Sequence, residues 1–331
     1  MDVEAARALA PWISALASGL AFAGLAIAVY LTFRVLDFPD LTVDGSLGFG
    51  ASVTAALISF GHWNPWLTLV AATVAGALAG LATGLLHAAL KINGLLASIL
   101  VAISMFTINL RVMNGSNISL FNADTIYSGA NGDAGPLGAW LAPVFGALAG
   151  RGDFRASVVL LVITVIMVAL CFWWLNSEQG IALRATGDNP RMIRALGVNT
   201  DRMKILGLAV ANGLCGLSGA VLAQQLSYSD ITLGPGAILT GLAAVILGEA
   251  LIHGSGVLAG LAGAVVGAIV FQLIIAATQV QQVFTIEPTD YKLASALIVL
   301  IALLVPAVRS RLGMRSLARA RRSSAGKAGA P

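Results

Sequence analysis

Continuous apolar runs of about 20 residues, the length a helix needs to cross a bilayer, recur near 13–33, 44–60, 66–90, 93–112, 156–175, 205–225, 235–252, 255–278 and 291–308. Nothing else in the chain constrains its fold as tightly. In hydrocarbon every backbone N–H and C=O must be satisfied from within, which leaves helices or closed barrels. Barrel strands would alternate over short segments, whereas these runs are continuous and rich in Ala, Gly and Leu. The expected fold class is all-α: a polytopic membrane helical bundle of about nine spans, within roughly 8 to 10. Composition agrees, since mean hydropathy is +0.90 and only 10% of residues are charged, against about a quarter in soluble domains.

Charges outside the runs set an expected orientation. The tail 309–331 carries Arg309, Arg311, Arg315, Arg319, Arg321, Arg322 and Lys327 without an acid, and the positive-inside bias puts such a segment in the cytoplasm. A nucleic-acid- or lipid-binding arm is the rarer reading of that tail. Arg184, Arg191, Arg194, Arg202 and Lys204 put the loop 177–204 on the same side. Alternation then leaves 113–155, 226–234, 279–290 and the N-terminus outside. Asp2 and Glu4 precede Arg7, unlike the basic start of a cleaved signal, so the first run is expected to persist. Cys171 and Cys215 both fall inside apolar runs, where buried packing is expected rather than a disulfide framework.

The loop holds Gly180-Ile-Ala-Leu-Arg-Ala-Thr-Gly-Asp-Asn-Pro-Arg-Met-Ile-Arg-Ala-Leu-Gly-Val-Asn-Thr-Asp-Arg-Met-Lys204. Asp188 or Asn189 can cap a short helix that Pro190 opens and that Gly197 closes in the left-handed region. Arg191 and Arg194, three apart, would share one face, while Met192, Ile193 and Leu196 offer an apolar surface. Such a helix suits docking of a soluble partner.

This segment resembles the cytoplasmic coupling loop of ABC-importer permeases of the branched-chain amino acid and ribose class, with its Gly-x-Ala-Leu-Arg-Ala-x-Gly-x-Asn and Ala-Leu-Gly-Val elements. The helix Lys204–Gln224, rich in small residues, is similar to the one that follows that loop in the family. A second stretch, Leu36-Asp-Phe-Pro-Asp-Leu-Thr-Val-Asp-Gly-Ser46, resembles a permease subgroup associated with amino acids, aromatic ones included. Branched-chain and sugar permeases differ there, so cargo does not transfer from them. The resemblance implies an inner-membrane permease subunit with a cytoplasmic C-terminus. Its implied partners are an ABC ATPase subunit, a periplasmic or lipid-anchored solute-binding protein, a second permease copy forming a homodimer, and no nucleic acid. It implies ATPase-coupling roles for Arg184, Asp188, Asn189, Pro190, Arg191, Met192, Arg194, Leu196 and Gly197.

The chain reads as one permease domain, 1–331. Its first half, about 13–112, and second half, about 205–308, each contain a span, a polar break and further spans. An odd number of spans separates corresponding elements, which gives the halves opposite orientation, the inverted-repeat plan; the resemblance implies the same. The external segment 113–155 lies between them, as does the coupling loop 177–204, and the basic tail follows. Glycines three or four apart, such as Gly76, Gly80 and Gly84, or Gly213, Gly216 and Gly219, are packing faces where helix backbones approach.

In the first break, three carboxylates beside apolar spans are costly unless solvated, paired or capping. Asp37, Asp40, Thr42, Asp44 and Ser46 are therefore the translocation pathway or gate candidates. The alternative is a plain cytoplasmic turn in which Asp44 caps the following helix and Arg34 pairs with Asp37. Glu249 beside His253 reads either as a proton-linked pair or as an interfacial local contact. Asn109, Asn212, Gln224, Gln225 and Gln272 suit interhelical hydrogen bonds or contacts to a polar solute. Segment 113–155, with turn chemistry and the apolar Ala139–Gly146, suits either binding-protein docking or packing on its own permease.

No Gly-x-x-x-x-Gly-Lys-Ser/Thr loop, His-Glu-x-x-His site or Gly-x-Ser-x-Gly elbow occurs in the sequence. The expectation is a transporter subunit without its own ATPase site, binding no cofactor or metal, with ATP and Mg used by the partner. The competing class is an ion-gradient-driven secondary transporter with Asp40, Asp44 or Glu249 as coupling group.

Overall fold

The structure, a computed structural model, describes residues 3–127, 152–254 and 256–280. The expected span 291–308, the tail and the Ala139–Gly146 stretch lie outside the described residues. In chain order the elements are α1 (Val3–Ala21), α2 (Ala23–Val29), a π turn (Tyr30–Val35), α3 (Thr42–Ser59), α4 (Pro65–Ala88), α5 (Gly94–Val112) and β1 (Asn117–Ser119). Then follow α6 (Gly152–Leu175), α7 (Glu178–Asp188), α8 (Pro190–Ala195), α9 (Thr200–Leu226), β2 (Tyr228–Asp230), a 3₁₀ turn (Ile231–Leu233), α10 (Ala237–Leu251) and α11 (Val257–Val280). Among the described residues, seven helical segments are long and apolar enough to cross a membrane. The all-α polytopic bundle is thus what the sequence forms.

Start and stop chemistry explains the boundaries. Asn64 accepts from the Trp66 N–H ahead of Pro65, and Asn93 accepts from the Leu95 N–H ahead of Gly94, so α4 and α5 each begin at an asparagine cap. Asn199 accepts from the N–H groups of Asp201 and Arg202 to start α9.

Helix α9 is the axis of the bundle, packing mainly against α4 and α3, while α10 packs on α11 and α1 on α11 and α6. Small residues make this approach close. A Cβ on Gly50 would collide with the Gly216 backbone, and one on Gly216 would meet the Ala72 carbonyl oxygen and the Gly76 Cα. Three helices therefore touch backbone to backbone around Gly50, Gly76 and Gly216, which in lipid supplies the dispersion contact that solvent-driven burial cannot. Leu25, Ile27, Leu31, Leu47, Leu208 and Phe271 are buried among many Ala residues in the interior, while the outer faces of the peripheral helices also carry large apolar side chains: Val70, Val74, Leu78, Leu81 and Leu85 on α4 are exposed, as are Leu161, Val165, Ile166 and Leu170 on α6. This is the reverse of a soluble helix and fits a lipid surround.

The short antiparallel ribbon β1–β2 pairs Asn117 with Asp230, Ile118 with Ser229 and Ser119 with Tyr228. It closes one end of the bundle, and α7 and α8 lie at the other end of α9. Near the ribbon end Ala55 and Ile58 of α3 cluster with Met113, Ile118 and Leu120.

Candidate functional site

At the α8 end the sequence's start and stop signals act as read. Asn189 Oδ1 accepts from the Met192 N–H at 3.0 Å, Pro190 occupies the first turn, and Gly197 takes φ +88°. The Val198 N–H reaches back to the Ile193 carbonyl at 3.2 Å and the Gly197 N–H to that of Arg194 at 3.0 Å, a glycine-closed C-terminus. Asp188, the alternative cap, instead ends α7, which turns residues 178–188 of the loop into helix.

Of the expected apolar face, Ile193 is buried, whereas Met192 is 53% and Leu196 71% exposed. The arginines do not act as one face. Arg191 is exposed, but Arg194 turns back onto α9: its Nε donates to Thr200 Oγ1 at 2.7 Å and its Nη2 to Asp201 Oδ1 at 3.2 Å. Asp201 Oδ2 also accepts from Lys91 Nζ at 2.7 Å. The turn between α4 and α5 and the start of α9 thus hold α8 jointly. Exposed pairs of this kind contribute only about 0–1 kcal/mol each, so their effect is to fix position. Arg184 lines a hollow of about 530 Å³ with Tyr30, Arg34, Asn176 and Asp188.

From Lys91 the contacts continue inward. His87 Nδ1 lies 2.8 Å from the Ile92 carbonyl oxygen and Nε2 3.3 Å from Lys204 Nζ. The His87 ring meets Phe38 edge-on at 5.2 Å, and Phe38 belongs to the break that precedes α3.

In that break the carboxylates separate by environment. Asp37 is exposed with φ 51°, while Asp40, Thr42 and Ser46 are fully buried. Asp40 Oδ1 accepts from the Thr42 N–H at 2.8 Å and Oδ2 from Asn212 Nδ2 at 2.7 Å. Asn212 Oδ1 accepts from Ser46 Oγ at 2.7 Å, and the hydroxyls of Thr42 and Thr83 lie 2.6 Å apart. A buried carboxylate persists only when hydrogen-bonded in this way. The network ties the break to α4 and α9.

Asp44 does something else. Rather than capping its own helix, which starts two residues earlier at Thr42, it caps α10: Oδ2 accepts from the Gly236 N–H at 3.0 Å and Oδ1 from the Ile238 N–H at 2.7 Å. The two polar breaks therefore meet. Helix α3 leaves this point toward the ribbon and α10 toward α8. The local reading of Asp44 fails because the cost of unpaired N–H groups at the start of α10 is removed by a carboxylate from elsewhere in the chain. Arg34 likewise pairs with Glu249 at the far end of α10 and not with Asp37, so Glu249 makes an interfacial contact at a helix end, with a partner far along the chain.

Asn212, Thr83, Lys91 and Asp201 carry these connections, and the sequence marked only Asn212 as a polar residue within a span. Its partner was not legible. Gln224 behaves as a packing amide, accepting from the Ile126 N–H at 3.0 Å and donating to the Pro65 carbonyl oxygen at 3.3 Å.

A family model described as branched-chain amino acid transport system / permease component matches residues 13–318. The chain is 35% identical to the tyrosine transport system permease protein of Clostridioides difficile (strain R20291), over 87% of this chain and 88% of that one. It is 27% identical to an autoinducer 2 import system permease protein of Salmonella typhimurium (strain LT2), over 69% and 59%. It is 25% identical to the ribose import permease protein of Escherichia coli (strain K12), over 75% and 71%. No solved structure matches the chain.

Proposed function

The chain belongs to the family of branched-chain amino acid transport system permease components, and from that membership we propose that it is the membrane-spanning subunit of an ATP-driven importer in a bacterial inner membrane. Its cargo is a small polar solute, an amino acid or related compound. The name of the Clostridioides difficile relative points toward aromatic amino acids. The C-terminus is cytoplasmic, a second permease copy completes the path, and a periplasmic or lipid-anchored binding protein delivers solute to the opposite face.

The observation that carries this reading is α8: a capped, glycine-closed helix with Met192 and Leu196 exposed, anchored through Arg194, Asp201 and Lys91. A separate ATPase subunit, using ATP and Mg, grips that surface. Closure of the ATPase pair moves residues 188–197 as a lever, and Lys91, His87 and Phe38 lead from it to the Asp40–Asn212 network. Asp37, Asp40, Thr42, Asp44 and Ser46 then belong to the gate, at the point where two inverted halves pivot. Asp40, Thr42 and Ser46 hold the gate's wall, Asp44 joins the halves, and Asp37 remains at the surface.

Purification in mild detergent should bring down an ATPase subunit, and proteoliposomes of the assembly should take up solute with ATP and not with ADP. Uptake by this polypeptide alone, abolished by a proton or sodium ionophore, would establish the ion-gradient class instead.

A further inference from the structure

At the α7 end of the bundle three membrane-length segments stop at one level: Pro11–Val35 and Ala156–Leu175 end there, and Val257–Ala277 begins there. Where spanning segments stop, hydrocarbon gives way to lipid head groups. The hollow of about 530 Å³ that Arg184 lines sits at this level, with Val35, Asn176 and Val257 in its wall. Its charges are two arginines, Arg34 and Arg184, against one carboxylate, the exposed Asp188. Arg34 gives Nη2 to Glu249, which approaches from an adjoining hollow. The rest of its five-donor fork has no partner among the described residues. The guanidinium of half-buried Arg184 makes no hydrogen bond or ion pair among the described residues. The opposite flank is apolar, since Phe172 and Leu258 line the hollow and are exposed, and Trp173 beside them is 73% exposed. Aromatic side chains of this kind gather at the head-group level.

We infer that this hollow holds the phosphate of an anionic lipid, the phosphodiester clasped between Arg34 and Arg184 while the acyl chains descend over Phe172 and Leu258. Guanidinium and phosphate match in geometry, two parallel N–H groups donating to two oxygens. Basic pockets between spanning helices on the cytoplasmic side are where head groups of this charge settle. The size falls within the ~300–1,000 Å³ of small-molecule sites. The choline of a zwitterionic lipid brings a further cation to a wall that already carries two, so a net negative head group is favoured. A free phosphate satisfies the arginines but gains nothing from Phe172 and Leu258. A lipid held here ties α7, which leads into α8, to the ends of the first span and α6. The inference goes beyond solute transport and needs only that these helices span a bilayer, so it stands whichever energy source drives uptake.

The test is native mass spectrometry of the full-length protein, with the subunits that purify alongside it, released from mild detergent to which phosphatidylglycerol, phosphatidylcholine or inorganic phosphate has been added. The parent should retain phosphatidylglycerol several-fold more than phosphatidylcholine. Arg34→Gln with Arg184→Gln should abolish that preference, and Arg184→Lys, which keeps the charge but loses the fork, should keep part of it. Arg111, exposed near the ribbon end, is the control: Arg111→Gln should leave the preference unchanged. Equal retention of the two lipids by the parent, or equal loss of the preference in Arg111→Gln, overturns the site. Retention of inorganic phosphate without any lipid preference assigns the arginines to a free anion and overturns the lipid. The parent's own comparison of the two lipids decides the matter even where the arginine variants do not fold.

Discussion

Asp44 and Asp40 sit four residues apart on one short segment and solve opposite problems. Asp40 is sealed among Thr42, Asn212 and Ser46, where its hydrogen bonds offset its desolvation. Asp44 supplies charge to the start of a helix from the other half of the chain. Replacing Asp44 with Ala leaves the half-buried N–H groups of Gly236 and Ile238 without this acceptor, and should destabilise the protein by about 1–3 kcal/mol. Asp44→Asn keeps one acceptor oxygen and should recover part of that loss. Thermal unfolding of the detergent-solubilised protein checks both; equal stability of the Ala variant and the parent would show that the cap contributes nothing. The carboxylates were visible in the sequence as costly residues beside apolar spans, but their partners lie 172 and 192 positions away.

At the scale of elements, α8 shows how far local chemistry reaches. Asn189, Pro190 and Gly197 define its ends from sequence alone because caps and a left-handed glycine act within one turn. Which arginine stays available was decided by α9, whose Thr200 and Asp201 capture Arg194. Gly197→Pro imposes φ near −65° where +88° is required and removes the N–H that closes the helix. That variant should retain the bundle, since Gly197 has open space around it, and should uncouple ATP hydrolysis from uptake. Reversal of Arg191 and Arg194 to Glu should do the same, the first by altering the exposed surface and the second by repelling Asp201. Uptake at the parent rate with either change counts against the lever.

For the molecule as a whole, sidedness is the decisive property. Arg191→Cys should react with a membrane-impermeant thiol reagent in inside-out vesicles and not in right-side-out ones; the opposite pattern would reverse the orientation of every element. The apolar runs and capping residues determined by themselves that this chain is a helical membrane bundle and where most helices begin and end, because hydrocarbon demands self-contained backbone bonding and caps are local. Helix α3 is instructive: expected at 44–60, it runs Thr42–Ser59, one turn's chemistry away, because Asp40 accepts from the Thr42 N–H. Only the tertiary structure decided that the two breaks touch through Asp44, that Arg34 answers Glu249, and that Gly50, Gly76 and Gly216 share one contact. Those facts depend on which backbones come within a few ångströms of each other, and a one-dimensional pattern of polarity does not encode distances between residues far apart along the chain.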